Sequence, residues 1–371
     1  MNKSARESEA PLAKVQPKVF KEHGHERVDP YYWLREREDP QVLAYLREEN
    51  SYLSNALHHT EAFQKNLFEE IVGRIKKDDD TVPVRIRDYL YYSRYVQGGE
   101  YPLLCRKAGS LDAREEVMLD ENEQAKGHEF FNLANYEISS GQNLLAFAED
   151  TVGRNFYTIR FRNLSTREFL PDAITNVTAN FEWAEDNKTL YYARQDPDTL
   201  RAYQVFRHTL GTPQSADQLI YEEKDEIYAV GVGKSKSRKY IFIAAEHLQS
   251  TEYRYVDAQG PGGDLKMIEP RRMNHIYSVD HFGDEFFIRT NLEAKNHRLV
   301  KVPVTNPGAA NWKDLIPHRA DVLLEGFELF RNFLVTEERK NGLRQLRVIP
   351  WSGAGEHYLE FDEPAYYAFA G

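Results

Sequence analysis

A short run of aromatic and β-branched residues returns six times along the chain: DYLYYSRYV near Tyr89, NLLAFAEDTV near Leu144, KTLYYARQDP near Leu190, KYIFIAAEHL near Tyr240, DEFFIRTNLE near Phe286 and NFLVTEERKN near Phe333. Their starts lie 46 to 55 residues apart. After each run comes a polar turn and a second strand-like segment, such as FYTIRFRNL or LRQLRVIPW, and usually a shorter third one, such as QLIYEEK. A period of this length built from several antiparallel strands, with no helix in the unit, predicts the blades of a β-propeller. One small twisted sheet cannot cover both of its faces, so consecutive sheets must stack and share their cores. The 23 tyrosines and 20 phenylalanines suit that stacking and are read first as core.

The fold class expected is therefore mainly β, a propeller of six repeats plus the start of a seventh, preceded by a short α-helical N-terminal segment. Stepping on by about 47 residues from Phe333 places the next repeat near residue 380, so Tyr366 to Phe369 is expected to be the innermost strand of a seventh blade. Before the repeats the period is helical. Asp39 and Pro40 form an N-cap and first-turn pair, and Val42, Leu46, Leu53 and Leu57 follow on one face. Phe63, Leu67, Ile71 and Ile75 mark a second helix with an apolar stripe that needs a partner. The division expected is 1–76 as an extended and helical segment and 77–371 as the propeller.

Composition narrows the function. A net charge of -11 argues against nucleic-acid binding, which needs an excess of Lys and Arg to displace counterions. Cys105 is the only cysteine, so no internal disulfide framework exists, and it is read as a buried thiol in a reducing compartment. Met1 to Gln16 lacks an apolar signal region, and no stretch approaches the ~18 apolar residues of a membrane span. These features predict a cytoplasmic location.

The chemistry-bearing residues do not assemble into a site. Ser352 has glycine after it but lacks the G-x-S-x-G frame of a nucleophile elbow, and is read as a turn serine. His23, His25, His58, His59 and His128 beside Glu129 lack metal-ligand spacing and are read as surface or packing residues. Gly231, Gly233 and Lys234 lack the spacing of a phosphate loop and are assigned to a strand turn. Glu222, Glu223, Asp225 and Glu226 are expected in a solvated turn rather than at a rim facing a basic peptide. Glu182 and Asp280 fall on inner strands, where a glycosidase acting through a central channel would need its paired carboxylates. No catalytic, cofactor-binding or metal-binding residue is assigned, and no cofactor is expected.

The opening tract HGHERVDPYYWLRERE, with Arg27, Asp29, Tyr31, Trp33, Leu34 and Arg35 in an R-x-D-x-Y-x-W-L-R pattern, resembles the prolyl oligopeptidase family of serine peptidases, in its oligopeptidase B branch. FEEIVGRI, RFRNL, AYQVFRHTLGTP, LIYEEKDE, YSVDHF, LLEGFELF, ERKNGL and FDEPAY continue the resemblance in order over residues 17 to 371. It implies a seven-bladed propeller over an α/β-hydrolase domain that carries a Ser, Asp, His triad and cleaves short peptides after Arg or Lys. The triad's domain is expected to be absent from this chain, which would then be the non-catalytic, substrate-gating part, inactive alone and partnered by a hydrolase domain. A stand-alone propeller scaffold that binds a separate hydrolase or another protein is the alternative.

Overall fold

Each of the six repeats forms a four-stranded antiparallel sheet in which the chain meanders from one strand to the next. The structure, a computed structural model, describes residues 9–370. It contains two compact units, residues 9–79 with 96–98, and residues 80–95 with 99–370.

The second unit holds the six sheets, numbered here as blades 1 to 6. Their first strands are Val84–Ile86, Asn132–Ile138, Phe181–Trp183, Ala229–Lys234, Tyr277–Phe282 and Leu323–Leu329. Their second strands are Tyr89–Arg94, Leu144–Asp150, Thr189–Gln195, Tyr240–His247, Glu285–Thr290 and Phe333–Lys340. The repeated sequence runs are these second strands. Each blade begins one strand earlier than the sequence pattern indicates, because the first strands are short and carry Glu, Asp and Gly where an apolar alternation would be recognised.

The second strands sit between neighbouring blades, and all seven residues of Leu144–Asp150 are buried. Five apolar clusters join the blades in order. Leu104, Met118 and Phe147 join blades 1 and 2, and Phe161, Trp183 and Tyr192 join blades 2 and 3. Tyr191, Val230 and Ile243 join blades 3 and 4, Phe242, Tyr277 and Phe286 join blades 4 and 5, and Phe287, Leu299 and Leu334 join blades 5 and 6. Each buried aromatic or leucine contributes about 1.5–3 kcal/mol, so these seams dominate the stability. Near the centre, polar bonds reinforce them. Asn135 Nδ2 donates to Ala179 O at 3.0 Å, Asn180 Nδ2 to Val232 O at 2.9 Å and Trp183 Nε1 to Glu137 O at 3.1 Å, each tying one blade's first strand to the next blade.

Tyr366 to Phe369 does not form the expected strand of a seventh blade among the described residues. An innermost strand needs a second strand to pair with. Instead the tail is held by side chains of blade 6: Arg344 lies 4.9 Å from the Tyr367 ring centroid, and the Ala370 N–H donates to Glu337 at 2.9 Å.

In the first unit a hairpin, Lys18–Glu22 with His25–Asp29, precedes two helices, α1 (Pro40–Leu57) and α2 (Glu61–Arg74). Asp39 caps α1, its carboxylate accepting from Gln41 N at 2.7 Å, with Pro40 in the first turn. Within the R-x-D-x-Y-x-W-L-R tract, Asp29 accepts from Tyr31 N at 2.9 Å and Trp33 Nε1 donates to Lys14 O at 2.9 Å. Val42 is buried, whereas Leu53, Phe63, Phe68, Ile71 and Ile75 are each more than half exposed. No helix among the described residues is long and apolar enough to cross a membrane.

Candidate functional site

The pairing of first with second strands assigns an equivalent position to every blade. The third residue of each second strand faces Val84 in blade 1, Glu137 in blade 2, Glu182 in blade 3, Gly233 in blade 4, Asp280 in blade 5 and Glu328 in blade 6. Side chains at one register point the same way from their sheets. Four of the six positions therefore carry a carboxylate on the innermost strand, near the hairpin that leads to the second strand.

Those hairpins bring cations to the carboxylates. The turn from first to second strand passes through a left-handed residue in five blades, Arg87, Gln142, Asn187, Arg238 and Gly283. Arg87 of blade 1 donates to Glu185 of blade 3 at 2.8 Å and to Ser140 O of blade 2 at 2.7 Å. In blade 4, where the equivalent position is Gly233, the two lysines that follow supply charge. Lys234 Nζ lies 3.8 Å from Glu182 and 3.5 Å from Glu185. Lys236 donates its backbone N–H to Asp280 at 2.8 Å and its ammonium to Glu328 of blade 6 at 2.7 Å. Contacts from blade 1 to blade 3 and from blade 4 to blade 6 each skip a blade, so the first strands converge on a narrow axis.

A cavity of about 590 Å³ opens there among blades 1 to 4, lined by Val84, Tyr136, Glu137, Glu182, Lys234 and Arg238 with their neighbours. Burial and the nearby Glu137 charge push Glu182 up to about 7, against the pull of Lys234. Burial also raises Glu137. Asp280 is pushed up to about 6, mainly by burial, although two backbone N–H groups stabilise its charge. Burial works on Glu185 too, but the Ser140 hydroxyl, Lys234 and Arg87 more than offset it and hold that carboxyl below its usual range. The cavity lining thus sets two carboxyls, Glu137 and Glu182, among four cations, Arg87, Lys234, Lys236 and Arg238, and its charge changes near neutral pH.

Glu182 and Asp280 are thus two members of a larger set, in blades separated by blade 4, rather than an isolated acid and base. Gly231, Gly233 and Lys234 lie within a strand, not at its turn. Glu223 departs from the expected solvated turn: it is buried, with Arg271 at 2.7 Å and the Tyr221 hydroxyl donating at 2.6 Å. Ser352 occupies an exposed turn, and His23, His25, His58, His59 and His128 are exposed. No group of three or more metal-ligating side chains is gathered among the described residues. Cys105 is fully buried, and burial pushes its thiol up to about 11. Sequence reading missed Glu137, Glu328, Lys236 and Arg238. The paired positions of first and second strands lie seven residues apart in blades 1, 5 and 6 and nine apart in blades 2, 3 and 4, so no fixed spacing in the sequence marks the two glutamates.

Comparison with known proteins agrees with this architecture. Residues 10–370 match the family model described as prolyl oligopeptidase, N-terminal beta-propeller domain. The chain is 42% identical to dipeptidyl aminopeptidase BI of Pseudoxanthomonas mexicana, over 96% of this chain and 51% of that protein. It is 31% identical to protease 2 of Moraxella lacunata, over 96% of this chain and 52% of the relative. The chain thus spans about half the length of these curated relatives. Among solved structures, oligopeptidase B from Leishmania major superposes with a TM-score of 0.88 at 27% identity, covering 96% of this chain and 54% of that one. The six meandering blades, the family model over nearly all the described residues and the shared sequence lead to one conclusion: this chain belongs to the prolyl oligopeptidase family, of which it carries the N-terminal β-propeller region.

Proposed function

We propose that the chain is the non-catalytic, substrate-gating portion of a serine peptidase that cleaves short peptides after Arg or Lys, and that it works beside an α/β-hydrolase domain. The observation that carries the basic preference is the set Glu137, Glu182, Asp280 and Glu328 at one register of the innermost strands. On this reading those carboxylates meet the cationic side chain of a basic peptide as it enters. Support for a hydrolase partner comes from the exposed apolar residues of the first unit, among them Phe63, Phe68, Ile71 and Ile75, since such a surface is stable in water only when covered. The length of the relatives supports it as well.

The test is to express the chain with the catalytic half of a relative and follow an arginyl chromogenic dipeptide. The chain alone is expected to give no turnover, and the reconstituted pair turnover that a serine-directed inhibitor abolishes. Inhibitor-sensitive hydrolysis by the chain alone would refute the non-catalytic assignment, and failure of every catalytic half to associate would refute the partner.

A further inference from the structure

Two blades place an arginine at the left-handed position of the hairpin between first and second strand, and the two arginines differ in what they meet. Arg87 of blade 1 is engaged, donating to Glu185 at 2.8 Å and to Ser140 O at 2.7 Å. Arg238 of blade 4, with φ 61°, is half-buried and lines the cavity among blades 1 to 4, and its guanidinium forms no hydrogen bond or ion pair with another described residue. The turn gives no reason for an arginine there. Glycine or asparagine takes a left-handed φ with less strain, as Gly283 and Asn187 do in blades 5 and 3.

The other charges of the cavity do not balance it. Lys236 is taken by Glu328 at 2.7 Å, and Lys234 stands 3.5 Å from Glu185 and 3.8 Å from Glu182. Glu185 and Glu328 thus answer Arg87 and Lys236, which leaves Lys234 and Arg238 to Glu137 and Glu182. Burial holds those two carboxyls toward their neutral form, Glu182 at about 7, so at neutral pH the cavity carries more positive charge than negative. Desolvating a guanidinium without a partner costs free energy that the fold does not recover, and an oxyanion is the group that restores it. The walls from blades 1 and 2 have another character: Val84, Ile86, Tyr91, Tyr136 and Ile138 are apolar or aromatic. The volume of about 590 Å³ falls within the roughly 300–1,000 Å³ of sites that take small ligands.

We propose that this cavity binds a small organic anion, its carboxylate or phosphate group held by Arg238 and Lys234 and its apolar body against Tyr91, Tyr136 and Ile138. Every contact is made by the blades, so the site depends neither on a hydrolase partner nor on a peptide substrate. Glu182 faces Glu137 on the first strand of blade 2, Lys234 on that of blade 4, Arg238 in the following turn, and Glu185 and Arg87 in the turns of blades 3 and 1. An anion placed among them disfavours the ionised glutamates. Binding near neutral pH accordingly takes up a proton, and tightens as pH falls from about 8 to 6.

The experiment is calorimetric titration of the 371-residue chain with four probes that share a benzyl group: phenylacetate, benzyl phosphate, benzyl alcohol, which has no charge, and benzylammonium, which has the opposite one. The better of the two anions is expected to bind about tenfold more tightly than benzyl alcohol, the effect of one charge-assisted contact, and benzylammonium more weakly still. Which anion is the better distinguishes a carboxylate ligand from a phosphate ester. Inorganic phosphate, with no apolar body to bury, should bind about tenfold more weakly than benzyl phosphate. Arg238→Met should erase the advantage over benzyl alcohol and Arg238→Lys should keep most of it, a pattern that a purely structural role for the arginine does not give. Titration of phenylacetate, which stays ionised throughout this pH range, in two buffers of different ionisation heat should reveal proton uptake at pH 7, lost in Glu182→Gln. Benzylammonium binding as tightly as either anion, or neither anion binding at millimolar concentration, would overturn the proposal. Both outcomes need only the parent chain, so a variant that fails to fold does not protect it.

Discussion

The second strands and the first strands of the blades are paired along their length, yet they have been shaped by opposite demands. Second strands such as Leu144–Asp150 are covered on both faces by neighbouring blades and have become nearly continuous apolar runs. First strands such as Phe181–Trp183 bury alternate residues in the seams and turn the intervening one, Glu182, toward the axis. The difference teaches that apolar packing and axial charge are separated by one strand spacing. The seams are expected to carry more of the stability than the axial side chains do.

The comparison breaks first at the seams if it is wrong. Phe147 in the second strand of blade 2 is fully buried, and Phe147→Ala is expected to cost about 3–5 kcal/mol in urea unfolding. A cost below that of any axial substitution would invert the proposed division. Glu338, also on a second strand, is the polar counterpart. It is fully buried, with Arg319 at 2.5 Å, Arg347 at 3.4 Å and the Tyr358 hydroxyl at 2.8 Å. Burial raises its pKa, but these donors more than offset that and hold it low. Glu338→Ala leaves two arginines facing the site it vacates and should cost about 2–3 kcal/mol, less than a wholly buried pair because both arginines reach solvent.

At the axis the effects become smaller and pH-dependent. A glutamate ionises near roughly pH 4.3 in an unfolded chain, whereas Glu182 in the fold does so at about 7. Between those values the folded state holds a proton that the unfolded state lacks, so the stability that protonated Glu182 allows is complete below about pH 4 and is lost as pH rises to about 7. Glu182→Gln removes this loss. Thermal unfolding of the parent should weaken between pH 5 and 8 by on the order of 1–2 kcal/mol more than that of the variant, and parallel profiles would contradict the assignment. Smallest of all is Lys236→Met. Its ion pair with Glu328 is part-exposed, 42% and 30% at the two side chains, and its loss should change stability by less than about 1 kcal/mol. A larger loss in denaturant titration would mean that the axial charges carry structural weight after all.

Much of the fold was legible because it is local or periodic. The Asp39 cap, the helical stripes and the six second strands are written into neighbouring residues, and the blade period follows from their recurrence. The first strands escaped notice because three to seven residues with Glu, Asp or Gly at the axis give no clear alternation. Glu223 departs from expectation for a related reason: in sequence it belongs to an acidic run, and its burial rests on Arg271, 48 residues away, together with the Tyr221 hydroxyl.

By itself, then, the sequence determined the repeat, the apolar seams and the family, since each depends on residues close in the chain or on words long enough to be specific. Tertiary structure alone decided that positions 84, 137, 182, 233, 280 and 328 share one register, that Lys234 and Lys236 set cations against Glu182, Glu185 and Glu328, and that Glu137 and Arg238 line one cavity. The physical reason is that strand pairing fixes where a side chain points, while the stacking of whole blades, which rests on apolar area and carries no mark in the axial residues, decides which of those side chains meet.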